Sequence, residues 1–253
     1  MKISAVVVSH GHAAEVALLV PLLLPQVDEL VVVANLPGSL PDRLTSAVRV
    51  LENGRPRSLA ANVNLGIAAT SGAYVLNANP DTMPGPNAVA SLAVVLDGRP
   101  RAGIAGPAML WPDGSPQPSR RRFPTVGGTL VRRTPLRLLW SPYEQQRDHY
   151  TLELHPTEPI EADWMLGGFL LQRRTMLDEL AGWDVGYRHY VEDIDLSYRA
   201  MKAGWERWYV PDAVVRHAYA AVIDRRFFSR HTIWHARGMA RFVRKHPETL
   251  ARL

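Results

Sequence analysis

The sequence predicts an α/β fold on a largely parallel sheet, because short apolar runs alternate with helix-like segments over the first half of the chain. A chain of 253 residues with 47% apolar side chains can bury one large core. Five runs are predicted strands: Ile3–Ser9, Glu29–Ala34, Ala47–Leu51, Ala73–Asn77 and Ala102–Met109. Three segments between them are predicted helices: Ala13–Leu24, Ser58–Ala69 and Asn87–Leu96.

The pattern changes from Trp111 to His155, where apolar periodicity gives way to a segment rich in Pro, Arg and Ser. A connection of this length in a compact domain is either mobile or functional. Regular patterns then return as a predicted strand, two helices, two short extended pieces and a long basic helix: Ile160–Gln172, Arg174–Leu180, Tyr190–Ala203, Trp208–Val210 with Ala213–Arg216, and Arg225–Lys245.

Composition excludes several classes of protein and of site. The chain has no cysteine, which rules out disulfides, thiolate zinc sites and a cysteine nucleophile, and which suits a reducing cytoplasm. The longest strongly apolar run, Val16 to Leu24, has nine residues and contains Pro21, whereas a bilayer span needs about 20. The first residues lack the pattern of a secretory signal. We therefore expect a cytoplasmic protein, with any membrane contact peripheral at the inner face of the cell membrane.

Positive charge is concentrated at the C-terminus. Residues 224–253 hold eight Lys/Arg and two Asp/Glu, so their net charge of +6 exceeds the +5 of the whole chain. A stripe of aromatic, histidine and glycine residues recurs there at helical spacing: Phe227, Phe228, His231, Trp234, His235, Gly238 and Phe242. Such a helix either packs on its own domain or lies on an anionic membrane surface. Nucleic-acid binding is not expected, because the rest of the chain has no basic excess and no recognised motif.

Three short segments carry residues suited to chemistry. Asp81 follows an apolar strand, where ligands collect in α/β folds, and a carboxylate there suits Mg²⁺ or Mn²⁺, although Asp after Pro is also common in turns. Glu192 and Asp193 open a predicted helix, where acids either stabilise the N-terminus or act as a general base. His217 follows an extended piece and is either structural or a further metal ligand.

The order and spacing of these segments resemble family 2 glycosyltransferases, with the nearest likeness to bacterial rhamnosyltransferases of cell-wall and polysaccharide assembly. The resemblance covers residues 3–220 and rests on seven motifs in order: Asn53-Gly54, Ala61-Asn62-Val63-Asn64-Leu65-Gly66-Ile67, Asn79-Pro80-Asp81-Thr82, Trp164-Met165-Leu166-Gly167-Gly168, Glu192-Asp193-Ile194-Asp195-Leu196, Gly204-Trp205 and Pro211 through His217. It implies a GT-A type fold, with a Rossmann-like mixed central sheet flanked by helices. Residues 1–223 would form a single glycosyltransferase domain and residues 224–253 a basic helical extension.

The resemblance also implies roles for individual residues. Asp81 and His217 would bind a divalent cation, and Asp193 would be the catalytic base with Glu192 supporting it. The expected donor-binding residues are Ser9, His10, Asn35, Asn64, Asn79, Arg121 and Arg122. The expected acceptor-binding residues are Trp164, Gly167 and Gly168, with a core position as the equal alternative for the tryptophan.

The implied activity is inverting transfer of a sugar, with L-rhamnose as one candidate, from a dTDP- or UDP-linked donor to a hydroxyl of a glycan or lipid-linked acceptor. Two departures stand out: the second strand ends Ala34-Asn35 where relatives have Asp-Asn, and the metal motif opens with Asn79. The alternative is a catalytically inactive nucleotide-sugar or polysaccharide-binding protein of the same fold. A nucleotidyltransferase is disfavoured, because the N-terminus has no glycine-rich phosphate loop with a lysine.

Overall fold

The computed structural model describes residues 1–124, 156–218 and 230–252. The strands are β1 (Ile3–Ser9), β2 (Glu29–Ala34), β3 (Val48–Glu52), β4 (Tyr74–Ala78), β5 (Thr82–Pro84), β6 (Ala102–Leu110), β7 (Pro116–Gln117), β8 (Arg120–Arg121), β9 (Ile160–Glu161), β10 (Trp164–Met165), β11 (Phe169–Arg173) and β12 (Glu206–His217). The helices are α1 (Ala13–Leu23), α2 (Leu59–Ala68), α3 (Ala88–Asp97), α4 (Arg174–Glu179), α5 (Glu192–Lys202) and α6 (Arg230–Lys245). Leu24–Gln26 and Pro247–Arg252 form 3-10 turns.

Within the described ranges, the main sheet is mixed and follows the order β3-β2-β1-β4-β11-β6-β12-β5, with β7 beside β6 and β9 beside β12. The first four strands of this order are parallel, as predicted for the N-terminal half. β11 enters antiparallel between β4 and β6. The sheet is therefore mixed rather than largely parallel, and the N-terminus of β11 lies beside the carboxyl end of β4.

Helices cover both faces of this sheet, because apolar side chains point alternately to either side along β1. Val7 packs into a cluster with Leu19 of α1 and with residues of α3. Val6 points the other way and packs with α2 and α4. Gly66 of α2 faces Val6 so closely that any larger residue would collide with the valine side chain.

Several predicted elements need correction. The predicted strand Ile160–Gln172 is three strands, because Trp164 and Met165 leave the main sheet to pair with β8 before the glycine pair turns the chain into β11. Conversely, the two short pieces after Trp208 are one strand, β12, whose register shifts between Val210 and Val214. Pro211 lies in that irregular stretch and cannot donate a ladder hydrogen bond.

Further differences concern residues whose conformation depends on distant contacts. The helix predicted from Tyr190 begins at Glu192, because Tyr190 and Val191 have φ angles of 72° and 74°. The predicted loop from Trp111 contains β7 and β8 in its described part, and residues 125–155 lie outside the described ranges.

The C-terminal helix is described from Arg230, so the predicted start at Arg225, with Phe227 and Phe228, lies outside the described ranges. Its buried positions, Met239 and Phe242, pack in a cluster that includes Tyr198 of α5. The described part of the aromatic stripe thus packs on the domain, as the first of the two alternatives requires. No helix in the described ranges has the length and apolar character needed to cross a bilayer.

Candidate active site

The candidate site lies at one edge of the sheet, where the carboxyl ends of β1, β2, β4 and β12 meet the N-terminal end of β11. Asp81 is in the turn that connects β4 to β5, and His217 ends β12. The antiparallel pairing of β12 with β5 sets His217 opposite Thr82. The sheet thus brings together two residues that are 136 positions apart in the chain.

Asp81 and His217 form the first corner of the site. His217 Nε2 lies 3.4 Å from Asp81 Oδ1, and the histidine is 4% exposed. The other ring nitrogen, Nδ1, lies 2.9 Å from Oε1 of buried Gln117, which orients the ring so that Nε2 faces the carboxylate. Burial raises the pKa of Asp81, but hydrogen bonding and the charge of His217 outweigh it, so the net pKa is lowered. Asp81 is therefore ready to act as an anion.

A carboxylate and an imidazole facing each other suit a divalent cation that completes its shell with ligand and water oxygens. Within the described residues, no group of three or more His, Asp or Glu side chains forms a closed metal cage.

Gly167 and Gly168 lie between the Asp81–His217 corner and a second corner, which contains Asp193. A Cβ at Gly168 would contact Asn79 Nδ2 and His217 Nε2, both at 3.4 Å. A Cβ at Gly167 would lie 3.0 Å from Asp193 Cβ, and the Gly167 N–H donates to Asp193 Oδ2 at 3.0 Å. The glycine pair, predicted to give an acceptor close access to the backbone, instead lets the aspartate and the histidine approach it from opposite ends.

The second corner is the Glu192-Asp193 pair at the start of α5. Asp193 accepts hydrogen bonds from the backbone N–H groups of Gly167 and Ile194. Burial raises the pKa of Asp193, and these bonds and the charge of Arg121 offset only part of the rise. Glu192 is 4% exposed, and burial followed by the adjacent Asp193 charge raises its pKa. Both carboxyl groups of the pair therefore hold a proton more readily than an exposed acid does, because burial disfavours their charged forms.

The sequence matches the model of the family described as glycosyltransferase like family 2 over residues 3–239. The chain belongs to this glycosyltransferase family. Its fold agrees with that assignment: GalNAc-T7, solved with UDP, GalNAc and Mn²⁺, aligns with a TM-score of 0.63 over 87% of this chain and 44% of that one, at 18% identity. The predicted GT-A fold is confirmed.

Two relatives of this glycosyltransferase are rhamnosyltransferases by name. An N-acetylglucosaminyl-diphospho-decaprenol L-rhamnosyltransferase of Mycobacterium tuberculosis (strain CDC 1551 / Oshkosh) is 39% identical over 150 residues, which are 57% of this chain and 46% of that protein. The rhamnosyltransferase WbbL of Escherichia coli (strain K12) is 40% identical over 81 residues, which are 32% of this chain and 30% of that protein. Each alignment thus spans less than half of the relative's own length.

Three residues predicted to bind the donor, Ser9, His10 and Asn35, make hydrogen bonds within the protein at the ends of β1 and β2. The buried Ser9 hydroxyl donates to Ser39 O at 2.6 Å. Asn35 Oδ1 accepts from Arg57 N and Asn53 Nδ2, and its amide Nδ2 lies 2.8 Å from His10 Nδ1. Of this group only His10 is exposed toward solvent, so it is best placed to reach a ligand.

Asn64 and Trp164 have structural contacts that argue against their predicted roles. Both ends of the Asn64 amide bond the main chain of Trp183, with Nδ2 to O at 2.8 Å and Oδ1 to N–H at 2.9 Å. Trp164 is 3% exposed and its Nε1 donates to Arg122 O at 2.8 Å. These contacts agree with the core alternative for Trp164, and the predicted acceptor contact of Trp164 and donor contact of Asn64 stay predictions.

Arg121 and Arg122 sit differently at the site. Arg121 lies over the Trp164 ring at 5.2 Å and is close enough to Asp193 for its charge to lower that residue's pKa. Arg122 is exposed. Arg121 thus adds positive potential beside Asp193, and its predicted donor contact stays a prediction, as do those of Arg122 and Asn79.

Sequence reasoning missed one carboxylate. A pocket of about 260 Å³ at the ends of β2 and β3 is lined by Ala34, residues 36–40, Glu52 and Asn53. The parallel register pairs Ala34 directly with Glu52. Glu52 of β3 therefore lines this pocket, one strand away from Ala34, where the family resemblance leads us to expect Asp. In the sequence, the signal for this position was the predicted strand Ala47–Leu51, which ends just before Glu52. A strand prediction does not reveal which side chain faces a pocket.

Proposed function

We propose that this protein is an inverting glycosyltransferase that moves a sugar, with L-rhamnose as the first candidate, from a dTDP- or UDP-linked donor to a hydroxyl of a lipid-linked or glycan acceptor in cell-wall or polysaccharide synthesis. One observation carries the proposal: Asp193 and the Asp81–His217 pair converge from distant parts of the chain on the same two glycines, Gly167 and Gly168. No described contact favours the inactive binding protein, since all three side chains retain ordered, mutually compatible positions.

The chemistry assigned to these residues is a single displacement. The acceptor oxygen forms a bond to the anomeric carbon as the bond from that carbon to the diphosphate breaks, and the configuration inverts. Asp193 takes the hydroxyl proton, which makes the oxygen nucleophilic enough to attack. Its raised pKa helps, because a stronger base accepts the proton more readily. The charge of Arg121 favours the ionised form of Asp193 and offsets part of the rise in its pKa.

Asp81 and His217 would hold a divalent cation, which would supply positive charge to offset the charge that develops on the departing diphosphate. Gln117 fixes the orientation of His217, and the Gly168 backbone leaves room at the same corner. The proposed assignment as metal ligands rests on this donor set and on the family motif.

For the donor base we propose the pocket beside Ala34 and Glu52. A pyrimidine with a free ring N–H, such as uracil or thymine, can donate to a carboxylate, whereas the Watson–Crick edge of cytosine presents an acceptor at that ring position. Asn35 is unsuited to this task because its amide already bonds Arg57 and Asn53. Glu52 is exposed on the same strand end and is the carboxylate that lines the pocket.

The experiment is a panel of nucleotide sugars, with Mg²⁺ or Mn²⁺, in which donor hydrolysis and transfer to diphospholipid-linked sugars are measured. We expect activity with dTDP- or UDP-linked donors and a rise in donor KM of about 10-fold for Glu52→Gln, since a hydrogen bond to a charged group contributes about 1.5–3 kcal/mol. Arg55→Gln, an exposed change in the following turn, is the matched control. Binding of donors without any turnover would instead identify a binding protein.

We further propose a peripheral membrane contact through the outer face of α6. The side chains on this face are exposed in the described structure: Arg230, Ile233, Arg237, Ala240 and Arg244. Ile233 is 55% exposed. A basic face with an apolar side chain suits the surface of an anionic bilayer, where a lipid-linked acceptor would lie.

The purified protein is expected to co-sediment with anionic vesicles at low salt and to be released as salt rises, because exposed charges are screened. Arg237→Ser with Arg244→Ser should weaken that binding by about 10-fold or more, at about 1 kcal/mol per basic residue near the surface. Arg43→Ser with Arg55→Ser removes the same charge elsewhere and should bind as the parent does. Equal binding to neutral and anionic vesicles, or none to either, would reject the membrane contact.

A further inference from the structure

The turn that delivers the base is conformationally strained. Tyr190 and Val191, which directly precede the Glu192-Asp193 pair, both have φ angles in the left-handed region, at 72° and 74°. That region is unfavourable for residues with a Cβ and most unfavourable for a β-branched residue such as valine. Such a conformation persists only where surrounding contacts hold it in place.

Those contacts come from α6. Gly238 lies against the turn, since a Cβ built there would be 3.0 Å from Val191 Cγ2 and 3.2 Å from Tyr190 O. Two helical turns earlier along α6, His231 Nδ1 lies 3.1 Å from Tyr190 Oη. The backbone of the C-terminal helix therefore packs directly on the strained residues, at a position where a Cβ would make contacts tighter than most.

The C-terminal segment makes a second set of contacts with Asp195, in the first turn of α5. Asp195, two residues after the proposed base, is fully buried. It accepts hydrogen bonds from two residues close to it in the chain, Tyr187 Oη at 3.1 Å and Arg199 Nε at 2.7 Å. It also bonds two residues from the C-terminal segment: Lys245 Nζ at 2.9 Å and His246 Nε2 at 3.0 Å. Burial raises the pKa of Asp195, but the Arg199 charge and the His246 and Lys245 hydrogen bonds outweigh it and lower the net pKa.

The C-terminal segment also forms ion pairs with Asp184. Lys245 Nζ lies 2.7 Å from this carboxylate and Arg241 Nη2 lies 3.0 Å from it. Contacts with carboxylates of the domain are therefore made by three residues of the C-terminal segment: Arg241, Lys245 and His246. All three lie beyond residue 239, where the match to the family model ends.

We propose that the C-terminal segment is a positioning element of the active site: His246 and Lys245 hold Asp195, and Gly238 supports the Tyr190–Val191 turn, so that Asp193 stays aligned with the Gly167 N–H. The consequence for catalysis rests on the proposed function of Asp193 as base. The positioning itself does not, because it is a statement about the geometry of the turn.

The test uses the full chain and two kinds of variant. His246→Leu removes the donor to Asp195, whereas His246→Gln keeps an N–H in its place. Gly238→Ala presses on Val191 without removing an ion pair. We expect His246→Leu and Gly238→Ala to lower kcat by about 10-fold or more with donor KM unchanged, since a misplaced catalytic group loses rate more than ground-state binding. His246→Gln should recover most of the activity, and Ala236→Ser, at an exposed position of the same helix, should match the parent.

Amide hydrogen exchange provides a readout that does not depend on activity. Exchange in the segments 164–169 and 189–196 should speed up in His246→Leu and Gly238→Ala, while that of β1 and β4 stays unchanged. Parent-like kcat and exchange in both variants would overturn the proposal. A parallel loss of kcat, donor affinity and global stability would overturn it too, because it would show a general structural role. If the parent transferred no sugar at all, the proposed function would fail and exchange alone would decide the positioning.

Discussion

Asp193→Asn is expected to lower turnover by about 100-fold or more while folding and donor binding are preserved, because general-base catalysis typically contributes 10²–10⁴ in rate. The amide has nearly the shape of the carboxylate and can still accept from Gly167 N–H or Ile194 N–H, so the turn should remain in place. It cannot take the acceptor proton. Single-turnover transfer and donor titration by calorimetry measure the two effects separately.

The control for this variant is Asp212→Asn, which removes a carboxylate from an exposed position on β12 and should behave as the parent does. Glu192→Gln should also be damaging but less selective, because Glu192 supports the turn from a buried position. Near-normal turnover of Asp193→Asn would eliminate Asp193 as the base.

The pH profile gives the same assignment an independent check. The base works in its ionised form, so kcat should fall as pH decreases through the pKa of Asp193. Because burial raises that pKa, the acidic limb should lie above the ordinary aspartate value of about 3.9. The limb should disappear from the residual activity of Asp193→Asn.

Asp81→Asn is expected to reduce transfer by about 100-fold or more and to remove most of its dependence on Mg²⁺ or Mn²⁺, since lost charge stabilisation of several kcal/mol corresponds to at least this factor. His217→Gln should act in the same direction, because it replaces the imidazole that faces Asp81 at 3.4 Å. Transfer rates measured across an ion titration, together with donor binding with and without the ion, report both changes.

Gln117→Leu provides a graded comparison, because it leaves both proposed ligands in place and removes only the group that orients His217. It should raise the ion concentration needed for half-maximal activity by roughly 10-fold, a size typical of outer-shell partners. An ion titration of Asp81→Asn that coincides with that of the parent would contradict the assignment of this corner as the metal site.

The sequence alone was enough to predict the first strands and helices, because the signals for these elements are local. Apolar runs such as those in β1 and β2, and the capping Ser58 before α2, act within a few residues. The broken strand after Ile160 and the continuous β12 could not be predicted in the same way. Their hydrogen bonds are made with β8 and β6, which are distant in the chain, so no local pattern encodes them.

The same division applies to the site. The residues proposed for the chemistry, Asp81, Glu192, Asp193 and His217, could be singled out from motif order, because the proposed chemistry needs those side-chain types. The sequence could not show which of the surrounding polar residues face a ligand. Asn64 and Trp164 each bond the main chain, and no local sequence pattern distinguishes such a residue from one that bonds a substrate.

What the sequence by itself determined is therefore the family, the fold class and the reactive residue types, all of which depend on composition and spacing. What only the tertiary structure decided is how they meet. The contact of Glu52 with the pocket beside Ala34 depends on strand register, and the hold of His246 on Asp195 depends on where a helix docks. Both are set by the packing of the whole chain, because the free energy that selects them is shared among many distant contacts.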